Sequence, residues 1–241
     1  MATTIKAERT SIDIAGTPID GLMLSTGELR GNKSQAAEAI GENRMSVTRF
    51  LKSHVTESEC QTPVTLTLQG KTHVTKVRIE GYSKLVDALT LDLMSAYWLS
   101  KAIAGNVQAQ ALCYALATET LERRFNRAFG VAATEEEYDE KLKLRRGRLL
   151  ARHAWGDAVK RHMEFHGYYG DKSRVRAEFC ELTVRVNLKF YGVRHFKCDR
   201  DNMDDEQQEL IKEFERAVVR HSKRNPSLAP SDLIDAALAI F

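Results

Sequence analysis

Side chains able to bond phosphates or base edges gather just after Gly41: Asn43, Arg44, Ser46, Thr48 and Arg49. Arginine, amide and hydroxyl groups are the types that position a protein on duplex DNA and read its bases. A second basic group runs from Lys141 to Arg161, where eight Lys and Arg residues accompany one acid, Asp157. Within it, Arg145, Arg146, Arg148 and Arg152 are placed to neutralise phosphates, which would make affinity strongly salt-dependent. A solvated helix face or an acid-paired surface would use the same residues. A third set, Asp157, His162, Glu164, His166, Asp199 and Asp201, could serve a metal-dependent nuclease. Its spacing fits no nuclease signature, and the chain has no P-loop, GxSxG or HExxH. His162 and His166 share one side of a helix, but no third metal ligand is evident, so both read as surface histidines.

The element that must present the first set is Ser34 to Leu51, SQAAEAIGENRMSVTRFL. Ala36, Ala37 and Ile40 form an apolar face, and Gly41 follows, where positive φ costs least. Met45, Val47, Phe50 and Leu51 start a second apolar face at helical spacing. Two short helices around a tight turn make a helix-turn-helix-like unit. Any two packed helices can show this spacing, so the motif is a hypothesis.

Before this unit, Ile5, Ile12, Ile14, Ile19, Leu22 and Leu24 alternate around turn signals at 15–18 and 26–27, implying one or two hairpins. Asn32 or Ser34 would cap the first helix. After it, 62–80 reads as a hairpin turning at 69–71, with Lys71, His73, Lys76 and Arg78 on a solvated face. Helices are expected over Leu85–Ala104, Val107–Phe129, the basic run, Val175–Phe190, a stretch opened by Asp204, and a last one capped by Ser231. Thr134 and Glu137 form a capping box.

The 241 residues suggest one or two domains at roughly 100–200 residues each. Net charge is only +3, so contact with nucleic acid must come from local patches. Cys60, Cys113, Cys180 and Cys198 are far apart and read as reduced thiols in a cytoplasm. No apolar run is long enough for a membrane span, and the start lacks a signal-peptide pattern. No metal and no cofactor is expected.

The order of parts, SQAAEAIG, then RFLKS, then AYWLSKAIAGNVQAQALCYALATETLERRFNRAFGV, resembles a group of cyanobacterial and phage proteins. That group is related loosely to antirepressors of the BRO, KilA-N and Rha kinds. The resemblance covers most of residues 20–138. It implies a small DNA-binding or regulator-binding protein without a cofactor.

Together these readings give an α+β fold, mostly α, with N-terminal hairpins and the helix-turn-helix-like unit followed by a helical bundle. Domains are expected at 1–82 (DNA-binding), 83–133 (helical hairpin) and 134–241 (basic and helical). The expected function is a DNA-binding regulator of phage or mobile-element type, acting on double-stranded DNA as a homodimer. The alternatives are a nuclease and an antirepressor that binds another regulator protein.

Overall fold

The computed structural model describes residues 5–53, 73–194 and 205–241. The chain forms two compact units, 1–146 and 147–241. Its architecture is an α+β mixture in which helix predominates, and no helix among the described residues is long and apolar enough to cross a membrane.

The first unit begins with β1 (Ile5–Ile14), β2 (Thr17–Leu24) and β3 (Leu29–Asn32), followed by α1 (Lys33–Glu38) and α2 (Arg44–Leu51). Next come β4 (Val74–Ile79), β5 (Val86–Thr90), α3 (Leu91–Ile103) and α4 (Val107–Phe129). Helix α5 (Glu135–Phe165) contributes 135–146 to this unit and the rest to the second. The strands close a barrel in the order β1-β2-β3-β5-β4, with β4 returning parallel to β1. Ala15 and Gly16, both at positive φ, turn β1 into β2, the conformation a two-residue hairpin loop requires. Alternation puts Leu22, Leu24, Val77, Ile79 and Ala88 inside the barrel. A separate core joins Ala36, Ala37, Ile40, Val47 and Phe50 to Leu93, Tyr97, Trp98 and Leu112 of α3 and α4.

Several expectations change here. Residues 86–90 are a strand, although the sequence reads as helical from Leu85. Val86, Asp87, Ala88 and Leu89 pair with Val77, Lys76, Thr75 and Val74, and the opposite edge pairs with β3. Strand pairing on both edges outweighs a helical apolar spacing in so short a run. Thr90 then caps α3, its hydroxyl accepting from the Leu93 amide at 3.2 Å. His73 is buried, its Nδ1 3.0 Å from that hydroxyl, rather than on a solvated face. The first strand of the 62–80 hairpin and its turn lie outside the described residues, as do the Asp204 cap and Cys60, Cys198, Asp199 and Asp201.

The domain boundaries also move. A cut after residue 82 would pass through the barrel, because β5 pairs with both β3 and β4. A cut after residue 133 would separate α4 from residues bonded to it. Arg123 meets Glu135 at 2.7 Å, and the Asn126 amide donates to the Tyr138 hydroxyl at 2.9 Å. The capping box of Thr134 and Glu137 forms between them as expected.

The second unit packs α5 from Gly147 onward with α6 (Lys172–Tyr191), α7 (Asp205–Arg224) and α8 (Pro230–Leu238). Trp155, Met163, Leu182, Val186, Phe214 and Leu233 fill its core. The C-terminal Phe241 ring lies against Phe190 and Phe214. Helix α8 opens with Pro230 at its first position and no side-chain cap, so Ser231 does not cap it. Proline suits that place, because its missing N–H would have been unpaired anyway.

Candidate nucleic-acid interface

Helices α1 and α2 meet around Gly41, whose φ is +70°. Asn32 caps α1 and settles the choice between Asn32 and Ser34: its Oδ1 accepts from the Ser34 amide at 2.9 Å. Asn43 caps α2, its Oδ1 accepting from the Met45 amide at 2.9 Å. The pair is held from behind. Trp98 Nε1 donates to the Ala36 carbonyl at 2.7 Å, and the Asn106 amide donates to the Ile40 carbonyl at 3.2 Å. Lys101 pairs with Glu42 at 3.1 Å. Burial works against the Glu42 carboxylate, but hydrogen bonds from Lys101, Ser46 and Asn106 hold its pKa below the ordinary 4.5.

On α2, Ser46, Val47 and Phe50 are buried, while Arg44, Met45 and Arg49 are exposed and Thr48 is half-buried. At 100° per residue the buried three fall within one arc, and Met45 lies opposite. Two expectations therefore exchange places. Ser46, expected to contact DNA, is 4% exposed, and its hydroxyl faces Glu42 and Tyr97. Met45, expected in the core, is 51% exposed. Asn43 is exposed, but its carbonyl oxygen is engaged in the cap.

A cleft of about 470 Å³ opens beside the start of α2. Asn32, Lys33, Ser34, Arg44, Lys76 and Asp87 line it, with Met45, Leu85 and Val86 as its apolar part. Lys76 stands directly across the β4–β5 ladder from Asp87. Lys33 holds that carboxylate at 3.2 Å. Sequence reasoning left Lys33 and Lys76 out of the site. Outward alternation along β4 was legible, but what it faces was not. A larger cleft of about 890 Å³, at one end of the barrel, carries Lys6 and Arg78 beside Glu8 and Glu80, so its charge is balanced.

The basic run of α5 does not form one phosphate-binding face. Arg146 is 7% exposed and donates to the carbonyls of Ala15, at 3.2 Å, and Ala39, to the Thr17 hydroxyl, and to Gln108 Oε1 at 3.3 Å. A guanidinium enclosed by these acceptors cannot reach a duplex. Burial draws its pKa down, against a smaller pull from Asp13. Arg145 and Lys141 both hold Glu122, at 2.6 and 2.8 Å. In the second unit, Arg148 donates to Gln208 Oε1 at 3.0 Å. Arg152 lies over the Trp155 ring and pairs with Glu215 at 3.4 Å.

His162 is 1% exposed and not a surface histidine. Its Nδ1 is 2.7 Å from the Leu228 carbonyl and must donate to it. Its Nε2 lies 2.9 Å from the Ser222 hydroxyl, a group that can either donate or accept. Both nitrogens are engaged in holding α5 to the α7–α8 region. His166 is exposed and bonds the Ser227 carbonyl at 2.9 Å. Asp157 pairs with His153 at 3.1 Å.

Compared with known proteins, the chain matches no family model, no curated protein and no solved structure.

Proposed function

We propose that the chain is a DNA-binding regulator of the phage or mobile-element kind. It reads duplex DNA through α1, the Gly41 turn and α2, acting as a helix-turn-helix-like unit. One observation carries the reading: α2 buries Val47 and Phe50 while leaving Arg44 and Arg49 exposed and Thr48 half-buried. Among the described residues, no acid forms an ion pair with Arg44 or Arg49. The exposed Met45 adds an apolar group, suited to a thymine methyl. A homodimer would present two such helices to successive major grooves, about 34 Å apart.

Selection from fragmented genomic DNA followed by anisotropy titration tests the proposal. Wild-type protein should enrich a defined site, and the Arg44→Ala/Arg49→Ala pair should lose it while keeping its circular dichroism. Equal binding by the double variant would reject the reading. A second reading, an antirepressor that binds another regulator, is favoured by the outer side of α4. There Tyr114, Leu121, Phe125 and Phe129 are exposed, and the last two rings stack at 6.4 Å. Exposed apolar patches of this kind mark interaction sites. A stable complex with a co-encoded regulator, together with no enriched DNA site, would select this second reading.

A further inference from the structure

We propose that the cleft beside α2 is a phosphate-binding site, and that the barrel strand β4 contributes to it through Lys76. The inference rests on the duplex reading above: the group bound is a backbone phosphate next to the base pairs faced by α2.

The charge count decides the class of occupant. Three cations line the cleft, Lys33, Arg44 and Lys76, against one carboxylate, Asp87. Lys33 already neutralises Asp87 at 3.2 Å. Arg44 and Lys76 thus remain as the charge available to an occupant, and among the described residues neither forms an ion pair with an acid. Their donors differ usefully. A guanidinium offers a planar fork that matches two phosphate oxygens, and an ammonium adds a compact point charge with three rotatable donors. Ser34 adds a hydroxyl to the same wall. A volume of about 470 Å³ accommodates a phosphate with several of its waters, at about 30 Å³ for each water.

The positions come from two separate structures that the fold joins. Arg44 is the first residue of α2. Lys76 is held by the ladder that pairs it with Asp87 and sets Val77 against Val86. Because Val77 is buried inside the barrel, its neighbour Lys76 must point outward. A duplex seated on α2 is therefore gripped by the barrel as well as by the helix pair.

The same phosphate chemistry could arrive as a free phosphorylated compound, and the experiment separates the two sources. Anisotropy with the selected duplex is measured across salt for wild type, Lys76→Gln and a control of equal charge change in the second unit, Lys172→Gln. Losing one phosphate contact should reduce the slope of log K against log salt by about one, with base preference unchanged. Raising salt from about 50 to 200 mM should then cost Lys76→Gln about 3.5-fold less affinity than it costs wild type. An unchanged slope in Lys76→Gln, or an equal change in Lys172→Gln, overturns the cleft while leaving the duplex reading intact. If wild type binds no duplex, the duplex reading fails, and thermal melting with inorganic tripolyphosphate decides the cleft. Stabilisation lost in Lys76→Gln but kept in Lys172→Gln assigns the cleft to a free phosphorylated ligand. Stabilisation that is absent, or indifferent to Lys76, overturns it.

Discussion

Replacing Arg146 separates a structural bolt from a DNA anchor. Its guanidinium reaches four acceptors in the first unit: the Ala15 and Ala39 carbonyls, the Thr17 hydroxyl and Gln108. These tie the β1–β2 turn to the end of α1. In Arg146→Ala the two carbonyls lose their charged donor inside a nearly closed site. Each stranded buried acceptor costs about 1–3 kcal/mol, so the pair costs about 2–6 kcal/mol. Water entering the vacated space recovers part of that, and removing the buried charge recovers its desolvation. The expected net loss is about 3 kcal/mol, within the range for breaking a buried charged network. Arg146→Met should lose somewhat less, because it keeps the apolar stem. Native-state hydrogen exchange at amides of β1, β2 and α1 is the assay. A loss of about 3 kcal/mol speeds their slowest exchange roughly a hundredfold or more. An Arg146→Ala protein within about 1 kcal/mol of wild type but defective only in duplex affinity would refute this account and restore the phosphate role.

The remaining predictions are more local. Trp98→Phe keeps an aromatic ring but removes the 2.7 Å donor to the Ala36 carbonyl. It should cost about 1–2 kcal/mol in urea denaturation, and a cost near zero would show that the bond contributes little. For Glu122, burial opposes the charge, but hydrogen bonds and attraction from Lys141 and Arg145 prevail and hold its pKa below the ordinary 4.5. A depressed carboxylate stabilises the fold above its unfolded pKa and loses that contribution as pH falls through its folded value. Melting temperature should therefore drop below about pH 4.5, and the drop should be shallower in Glu122→Gln; parallel profiles would contradict the assignment. His162→Ala leaves the Leu228 carbonyl and the Ser222 hydroxyl without their buried partner. It should destabilise the second unit by about 2–4 kcal/mol. Should it instead abolish DNA nicking by a protein of unchanged stability, the nuclease reading would return.

Local chemistry was legible wherever a residue's neighbours in the chain decide its conformation. Gly41 turns at positive φ, Thr134 and Glu137 exchange capping bonds, and Val107–Phe129 is one helix ended by Gly130. These depend on backbone strain and on side-chain reach over three or four residues. What a residue faces across the fold was not legible. VDALT became a strand because two neighbouring strands offered it hydrogen bonds. Ser46 and Met45 exchanged places because the phase of an eight-residue helix is set by what packs against it. Arg146 could not be told from Arg145, Arg148 or Arg152 by its type or its neighbours. Only the convergence of Ala15, Thr17, Ala39 and Gln108 on one point supplies acceptors to both of its terminal nitrogens, which offsets most of the cost of taking a guanidinium out of water, although its Nε stays without a partner. Lys76 came to line the same cleft as Arg44 in the same way, because pairing of β4 with β5 sets it opposite Asp87 on that wall.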